Sequence, residues 1–256
     1  MKKITIQNIK DFKAASHSFA TLTAYDFNSA QILDSAEIPL ILVGDSASMT
    51  MYGYNTTLPV SMDEMMLLVR AVTRGAKRSL VVADMPFLSY QPSLETTIKN
   101  AGLFMKECGA GAVKLEGGTR VVKNISALVE HGIPVLGHIG LTPQSVNQLS
   151  GYKIQGKTTE DAQKIIDDAM AVENAGAFGV VLECIPEELA THITQILQIP
   201  TIGIGSGNTC DGQIQVFHDI MGLMDNKPPK HAKQYDTLYA NMLNIVKRYK
   251  DDIEQL

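Results

Sequence analysis

A lysine and a glutamate two residues apart, Lys114 and Glu116, close an otherwise apolar run, GAVKLEGG at 111–118. Strand side chains alternate faces with a period of two, so this pair points to one side while Val113 and Leu115 point to the other. Burying unmatched charge is costly, so that face either meets solvent or brings the pair to a metal, a substrate or each other. Polar residues recur at the ends of other apolar runs: Asp45 with Ser46, Asp84, Glu183, and His138 late in its run. Taken singly, Asp45 or Asp84 reads as a helix cap or turn former. Taken jointly, Asp45, Asp84 and Glu116 supply hard oxygen donors from neighbouring strands, a set suited to Mg²⁺ that keeps coordination positions for water or substrate. Lys114 would anchor an anionic substrate, or else pair with Glu116 or Asp84. For His138 three roles stay open: metal ligand, hydrogen-bond donor to substrate, or polar residue lining a barrel. Glu183, between Val181 and Ile185, is a candidate general base, or a partner of Lys114. Tyr25 and Asp26 end the first run, where turn chemistry competes with a reach into the pocket; His218 and Asp219, read as strand neighbours on opposite faces, are structural.

Eight apolar runs must position these groups: 19–26, 39–46, 79–86, 112–118, 134–141, 178–186, 200–207 and 213–220. Their continuity, without clean alternation, indicates parallel strands covered on both faces. Helical patterns fill most gaps. Segment 61–76 opens with Ser61 and Glu64 in capping-box spacing, and 158–176 opens with a capping threonine and ends in Gly176. Further helices are expected at 28–37, 93–108, 119–131, 187–197 and 234–250, with none in the last gap between strands. Eight strands alternating with helices favour a (β/α)8 TIM barrel over a doubly wound open sheet, as one domain over 1–256 with a C-terminal helix. In such a barrel the site lies at the C-terminal strand ends, where these polar residues fall. The polar segment 142–158 reads as a long loop over that face. The glycine-rich IGIGSGNTCDG (202–212) has no GxGxxG register followed by a helix, so it fits close loop packing as readily as a phosphate cradle.

Composition narrows the function classes. A net charge of −5 and a pI near 5.7 leave no basic footprint for nucleic acid or anionic membranes. No run has the apolar length of a membrane span, and the N-terminal MKKITIQNIKDFK has no apolar core of a signal peptide. Cys108, Cys184 and Cys210 show neither metal spacing nor an even disulfide set, which suits a reducing compartment. A cytoplasmic protein acting on small molecules is expected. Five of the twelve methionines fall in 49–66 and read as core and helix packing.

Several long stretches in order, GDSASMTMYGYNTTLPVSMDEM (44–65), VVADMPFLSY (81–90), AVKLEGG (112–118), GHIGLTPQSVNQLSGYKIQGKT (137–158) and IGIGSGNTCDGQIQVFHDIMGL (202–223), resemble the ketopantoate hydroxymethyltransferase family through nearly the whole chain. The resemblance implies a Mg²⁺-dependent barrel of the phosphoenolpyruvate-utilising superfamily type, assembled as a homo-oligomer and often a decamer. It implies transfer of a hydroxymethyl group from 5,10-methylenetetrahydrofolate to the keto acid 3-methyl-2-oxobutanoate, giving 2-dehydropantoate in the first step of pantothenate synthesis. On that resemblance Asp45, Asp84 and Glu116 fall on metal positions, Asp45, Ser46, Asp84 and Lys114 on keto-acid contacts, His138 in the substrate pocket and Glu183 on the proton acceptor. Ala47 and Ser48 stand where the family usually has Leu-Gly, Ser206 replaces an alanine and His231 an aromatic residue. The rival readings are a lyase or mutase of the same superfamily acting on another 2-oxo acid, and a catalytically silent keto-acid-binding barrel.

Overall fold

The computed structural model describes residues 2–225 and 227–256, which form two compact units divided between Ile214 and Gln215. Eight strands close in sequence order into a barrel: β1 (Phe19–Thr23), β2 (Leu40–Val43), β3 (Leu80–Asp84), β4 (Ala112–Glu116), β5 (Val135–Gly140), β6 (Gly179–Glu183), β7 (Thr201–Ile204) and β8 (Gly212–Gln215). Successive strands from β1 to β8 pair in parallel. The expected (β/α)8 barrel is therefore the observed one.

The helices are α1 (Ile6–Ala14), α2 (Phe27–Ser35), α3 (Ala47–Thr50), α4 (Met62–Gly75), α5 (Leu94–Lys106), α6 (Val122–Glu130), α7 (Thr159–Asn174), α8 (Glu187–Ile196), α9 (Phe217–Met221) and α10 (Leu238–Glu254). Local chemistry sets their starts. Ser61 Oγ accepts from Glu64 N while Glu64 Oε2 accepts from Ser61 N at 2.8 Å, the reciprocal box that opens α4. Thr158 Oγ1 accepts from Asp161 N at 3.2 Å to open α7. Asp26 does the same for α2 through Asn28 N and Ser29 N, so turn chemistry accounts for it. The gap between β7 and β8 holds no helix, as its length required. Among the described residues, no helix is long and apolar enough to cross a membrane.

Period-two alternation explains where the polar residues go. Leu80 and Val82, Ala112, Leu136 and Val181 belong to one buried apolar cluster. Two residues further along the same strand faces come Asp84, Lys114, His138 and Glu183, with Glu116 two beyond Lys114. The apolar layer thus continues upward into a polar one.

Two elements depart from the sequence reading. Helix α1 was unexpected, although Ile6, Ile9 and Phe12 recur at helical spacing; Ile9 is fully buried in the interior cluster, and Ile4 N donates to Arg78 O just before β3, so α1 covers the N-terminal end of the barrel. The eighth run is strand only as far as Gln215; His218 and Asp219 lie on α9. Gly222, at φ +61°, takes the left-handed conformation that terminates this helix, and Leu223 N closes the turn on His218 O at 3.0 Å. The glycine outweighed the β-branched run before it.

Gly75 marks a close helix crossing. A Cβ there would lie 2.5 Å from Phe27 O and 2.8 Å from Ala30 Cβ of α2. Helix propensity alone favours alanine by about 1 kcal/mol, whereas forced overpacking costs about 1–3 kcal/mol. Gly75→Ala should therefore lower the thermal midpoint; an unchanged or higher midpoint in calorimetry would show that α2 yields freely. Asp34 ties α2 to β3, accepting from Arg78 N at 2.9 Å, Ser79 N at 2.7 Å and Ser79 Oγ at 2.8 Å. Burial opposes its ionisation, but these donors outweigh burial and hold its pKa below the ordinary carboxylate value of 3.8. A lowered native pKa gives stability that is present above the unfolded value and disappears as pH falls through the native one. Asp34→Asn should cost stability at pH 7 and progressively less below pH 3.8, a convergence that denaturant titrations across that range would detect.

Candidate active site

The polar layer is buried. Asp45, Asp84, Lys114, Glu116 and His138 are each at most 5% exposed, and the Glu183 side chain is 16% exposed. Contacts run through them in a chain. Lys114 Nζ lies 2.9 Å from Asp84 Oδ1 and 3.1 Å from His138 Nδ1, and His138 Nε2 lies 3.0 Å from Glu183 Oε2. Asp84 Oδ2 accepts from Asp45 N at 3.0 Å. Strand register sets much of this, pairing Asp84 with Lys114 and Glu116 with His138. The structure thus links Asp45, Asp84, Lys114, Glu116, His138 and Glu183, with Ser46 next to Asp45. Ser46 Oγ is 2.7 Å from the hydroxyl of fully buried Tyr25.

The charges do not balance. Burial, and then the charges of Asp84 and Glu116, push the Asp45 carboxyl well above its ordinary range against the pull of Lys114 and Gln144. Asp84 is also raised, by burial first. Glu116 is lowered: burial opposes this, but His138, Lys114 and Gln144 N overcome it. Burial disfavours the Lys114 cation, and Asp84, Glu116 and Asp45 more than reverse that, so Lys114 stays protonated. Burial and the Lys114 charge resist protonation of His138; Glu116 and Glu183 outweigh them and carry it to about 9. Two proton arrangements result. Neutral His138 accepts from Lys114 at Nδ1 and turns Nε2–H toward Glu183, while protonated His138 turns Nδ1–H toward Glu116 Oε1, 3.4 Å away. Three carboxylates around one lysine leave a place where further positive charge would be stabilising.

Gln144 escaped the sequence reading. It lies just after β5 in a loop without periodicity, yet it is 5% exposed and fully engaged. Its Nε2 donates to Asp45 Oδ2 and Met85 O, each at 2.9 Å, and its backbone N donates to Glu116 Oε2 at 2.9 Å. Its Oε1 accepts from Tyr90 OH at 2.8 Å and Gln91 Nε2 at 3.3 Å. One residue after β5 thereby holds the end of β4 and the segments that follow β2 and β3. Two residues that depart from the family pattern also find partners: Ser48 Oγ donates to Thr56 O at 2.7 Å, and Ser206 Oγ bridges Leu182 O and Ile185 N on either side of Glu183. The glycine-rich segment after β7 leads directly into β8, so no helix N-terminus stands there to receive phosphate.

Comparison with known proteins places this arrangement. The family model for ketopantoate hydroxymethyltransferase matches residues 3–256. The chain belongs to this family. It is 50% identical over 255 residues to the 3-methyl-2-oxobutanoate hydroxymethyltransferase of Carboxydothermus hydrogenoformans, covering 100% of this chain and 92% of that relative. The protein of the same name from Clostridium botulinum (strain Alaska E43) is 50% identical over 251 residues, covering 98% of this chain and 91% of its own. Among solved structures, the fold is similar to phosphonopyruvate hydrolase in complex with oxalate and Mg²⁺, with a TM-score of 0.62 and 13% identity over 85% of this chain and 81% of that one. It is also similar to 2,3-dimethylmalate lyase, a PEP mutase/isocitrate lyase superfamily member, with a TM-score of 0.63 and 15% identity over 98% and 89%. At these identities the likeness concerns the barrel alone.

Within the family member described here, the Gln144 amide has a testable role in stability. Gln144→Leu removes the amide donor from Asp45 Oδ2 and Met85 O, at about 1–3 kcal/mol for each buried group left unsatisfied, while the Tyr90 hydroxyl keeps Glu116 O at 3.1 Å. Gln144→Glu keeps an acceptor for Tyr90 but puts a fourth carboxylate against Asp45. In metal-free buffer the Glu variant should lose more stability relative to wild type at pH 8 than at pH 5, because the added group is neutral only at the lower pH. Equal losses at both pH values in thermal unfolding would contradict this account of the cluster.

Proposed function

We propose that the protein transfers the one-carbon unit of 5,10-methylenetetrahydrofolate to 3-methyl-2-oxobutanoate, giving 2-dehydropantoate and tetrahydrofolate in the first step of pantothenate biosynthesis. Its relatives' names support the acceptor and the reaction type. The observation that carries the reading is the buried excess of carboxylates, Asp45, Asp84 and Glu116, around Lys114. Asp84 Oδ1 meets the Lys114 ammonium at 2.9 Å and Glu116 Oε1 lies 3.4 Å from His138 Nδ1; among the described residues neither buried oxygen has a further donor, which leaves lone pairs for a second cation. Among the described residues, no three or more His, Cys, Asp or Glu side chains already form a group that could hold a metal ion. The keto acid's own oxygens and water would complete the donor set.

Asp45 and Asp84, with Glu116 beside them, would hold Mg²⁺. Bound there, the ion supplies Lewis acidity to the keto group. Lys114 places its fixed positive charge where the carboxylate and the developing enolate oxygen need it. Ser46, held by Tyr25, offers a hydroxyl to the substrate carboxylate. Glu183 takes the C3 proton, and His138, 3.0 Å away, orients that carboxylate through Nε2. The C3 carbanion then forms the new C–C bond to the methylene carbon, which has parted from one folate nitrogen; water displaces the second nitrogen to give the hydroxymethyl group, and the C3 proton and one water proton end on the two nitrogens of tetrahydrofolate. The bare face of α10, which has no buried residue and exposes Met242, Ile245, Val246 and Tyr249, supports assembly as a homo-oligomer, in keeping with the family's decamer.

Glu183→Gln tests the assignment of the base. With Mg²⁺ present, calorimetry should show keto-acid binding within a few-fold of wild type, while exchange of the C3 proton in deuterated buffer falls by about 10²-fold or more. Undiminished exchange would assign the proton transfer to another group.

A further inference from the structure

A cavity of about 410 Å³ opens among the loops that follow β2, β3, β4 and β5 and meets the carboxylate cluster at Glu116. Glu116 and Gln144 line its buried end together with Tyr90; Asp45, Asp84, Lys114, His138 and Glu183 do not line it. The volume lies within the range of about 300–1,000 Å³ usual for small-ligand sites. Its outer wall carries the half-exposed ring of Phe87 and the apolar Leu58, against which a flat ring would pack. Carboxamides from Gln91, Asn147 and Gln148 face it and offer donors and acceptors side by side, the complement of an amide-like heterocycle edge. Arg120 is its one cation. The guanidinium contacts Gln148 Oε1 at 3.1 Å and Ser145 Oγ at 3.5 Å, and among the described residues it pairs with no carboxylate.

Resting on the function proposed above, we infer that this cavity binds the reduced folate, with its ring system between Phe87 and the carboxamides and its glutamate carboxylate on Arg120. A lone arginine suits a carboxylate, whose two oxygens match the guanidinium fork, whereas a polyphosphate would call for a cluster of cations. Gln144 is common to both half-sites: its amide grips Asp45 while it also lines the cavity. A folate seated here would reach the keto acid from the β4–β5 side, and Glu183 reaches it from β6.

The test is calorimetric titration of 5-formyltetrahydrofolate, and of 5-formyltetrahydropteroate lacking the glutamate, into wild type, Arg120→Gln and Phe87→Ala, each loaded with Mg²⁺ and keto acid. Losing either Arg120 or the glutamate should weaken binding about five- to tenfold, and losing both should weaken it little further. Phe87→Ala should weaken both ligands alike. Arg120 and Phe87 are exposed, so both variants should fold, and their folate-free C3 proton exchange should match wild type. Wild-type affinity in both variants would overturn the inference and leave the keto-acid chemistry standing. Wild type that exchanges the proton but binds neither folate would likewise overturn it. Absence of exchange from wild type, with folate binding weakened in the variants as predicted, would sustain the cavity assignment and instead discard the proposed reaction.

Discussion

Three carboxylates are buried around a single lysine at the C-terminal mouth of a parallel barrel, and most of the surrounding structure serves to make that tolerable. Charge in a low-dielectric interior is stable only when matched. Lys114 matches part of it, while burial first and the neighbouring carboxylates next raise the proton affinities of Asp45 and Asp84. Such an imbalance disfavours the bare cluster, and added positive charge there would relieve it. The keto-acid reading is the chemistry that this electrostatic deficit suits best.

The fold supplies rigidity from below and order from above. The apolar layer formed by Leu80, Val82, Ala112, Leu136 and Val181, with α1 packed into the same cluster, fixes the strands, and strand alternation then dictates which side chains project into the polar layer. Above that layer one residue ties the loops together. Gln144 donates from its side chain to Asp45 Oδ2 and Met85 O and from its backbone to Glu116 Oε2, and so holds two of the three carboxylates in place. Tyr90 and Tyr25 hold the next shell, through Gln144 and Ser46 respectively.

Much of this was legible in the residues. Continuous apolar runs, most of them ending in a polar residue or glycine, locate seven of the eight strands closely, and the Ser61 and Thr158 caps locate α4 and α7. The polar strand-end residues could be assembled because a period of two is a strict rule. What remained hidden has physical reasons. Gln144 occupies a loop, where no periodicity says which way a side chain turns. The eighth run continues five residues past the strand's end at Gln215, because its β-branched content masks the C-terminal glycine signal at 222. Helix α1 has only a short stripe, Ile6, Ile9 and Phe12, among polar residues, a pattern that acquires meaning only when a barrel floor needs covering.

The most direct test of the account follows the C3 proton of 3-methyl-2-oxobutanoate by NMR in deuterated buffer with the wild-type protein, first with Mg²⁺, then with excess chelator, then with Mg²⁺ and 5,10-methylenetetrahydrofolate. The account predicts exchange that chelator abolishes and Mg²⁺ restores, followed by 2-dehydropantoate once the folate is added. Folded protein that gives neither exchange nor product would contradict it and return the barrel to a different 2-oxo acid or to a silent binding role.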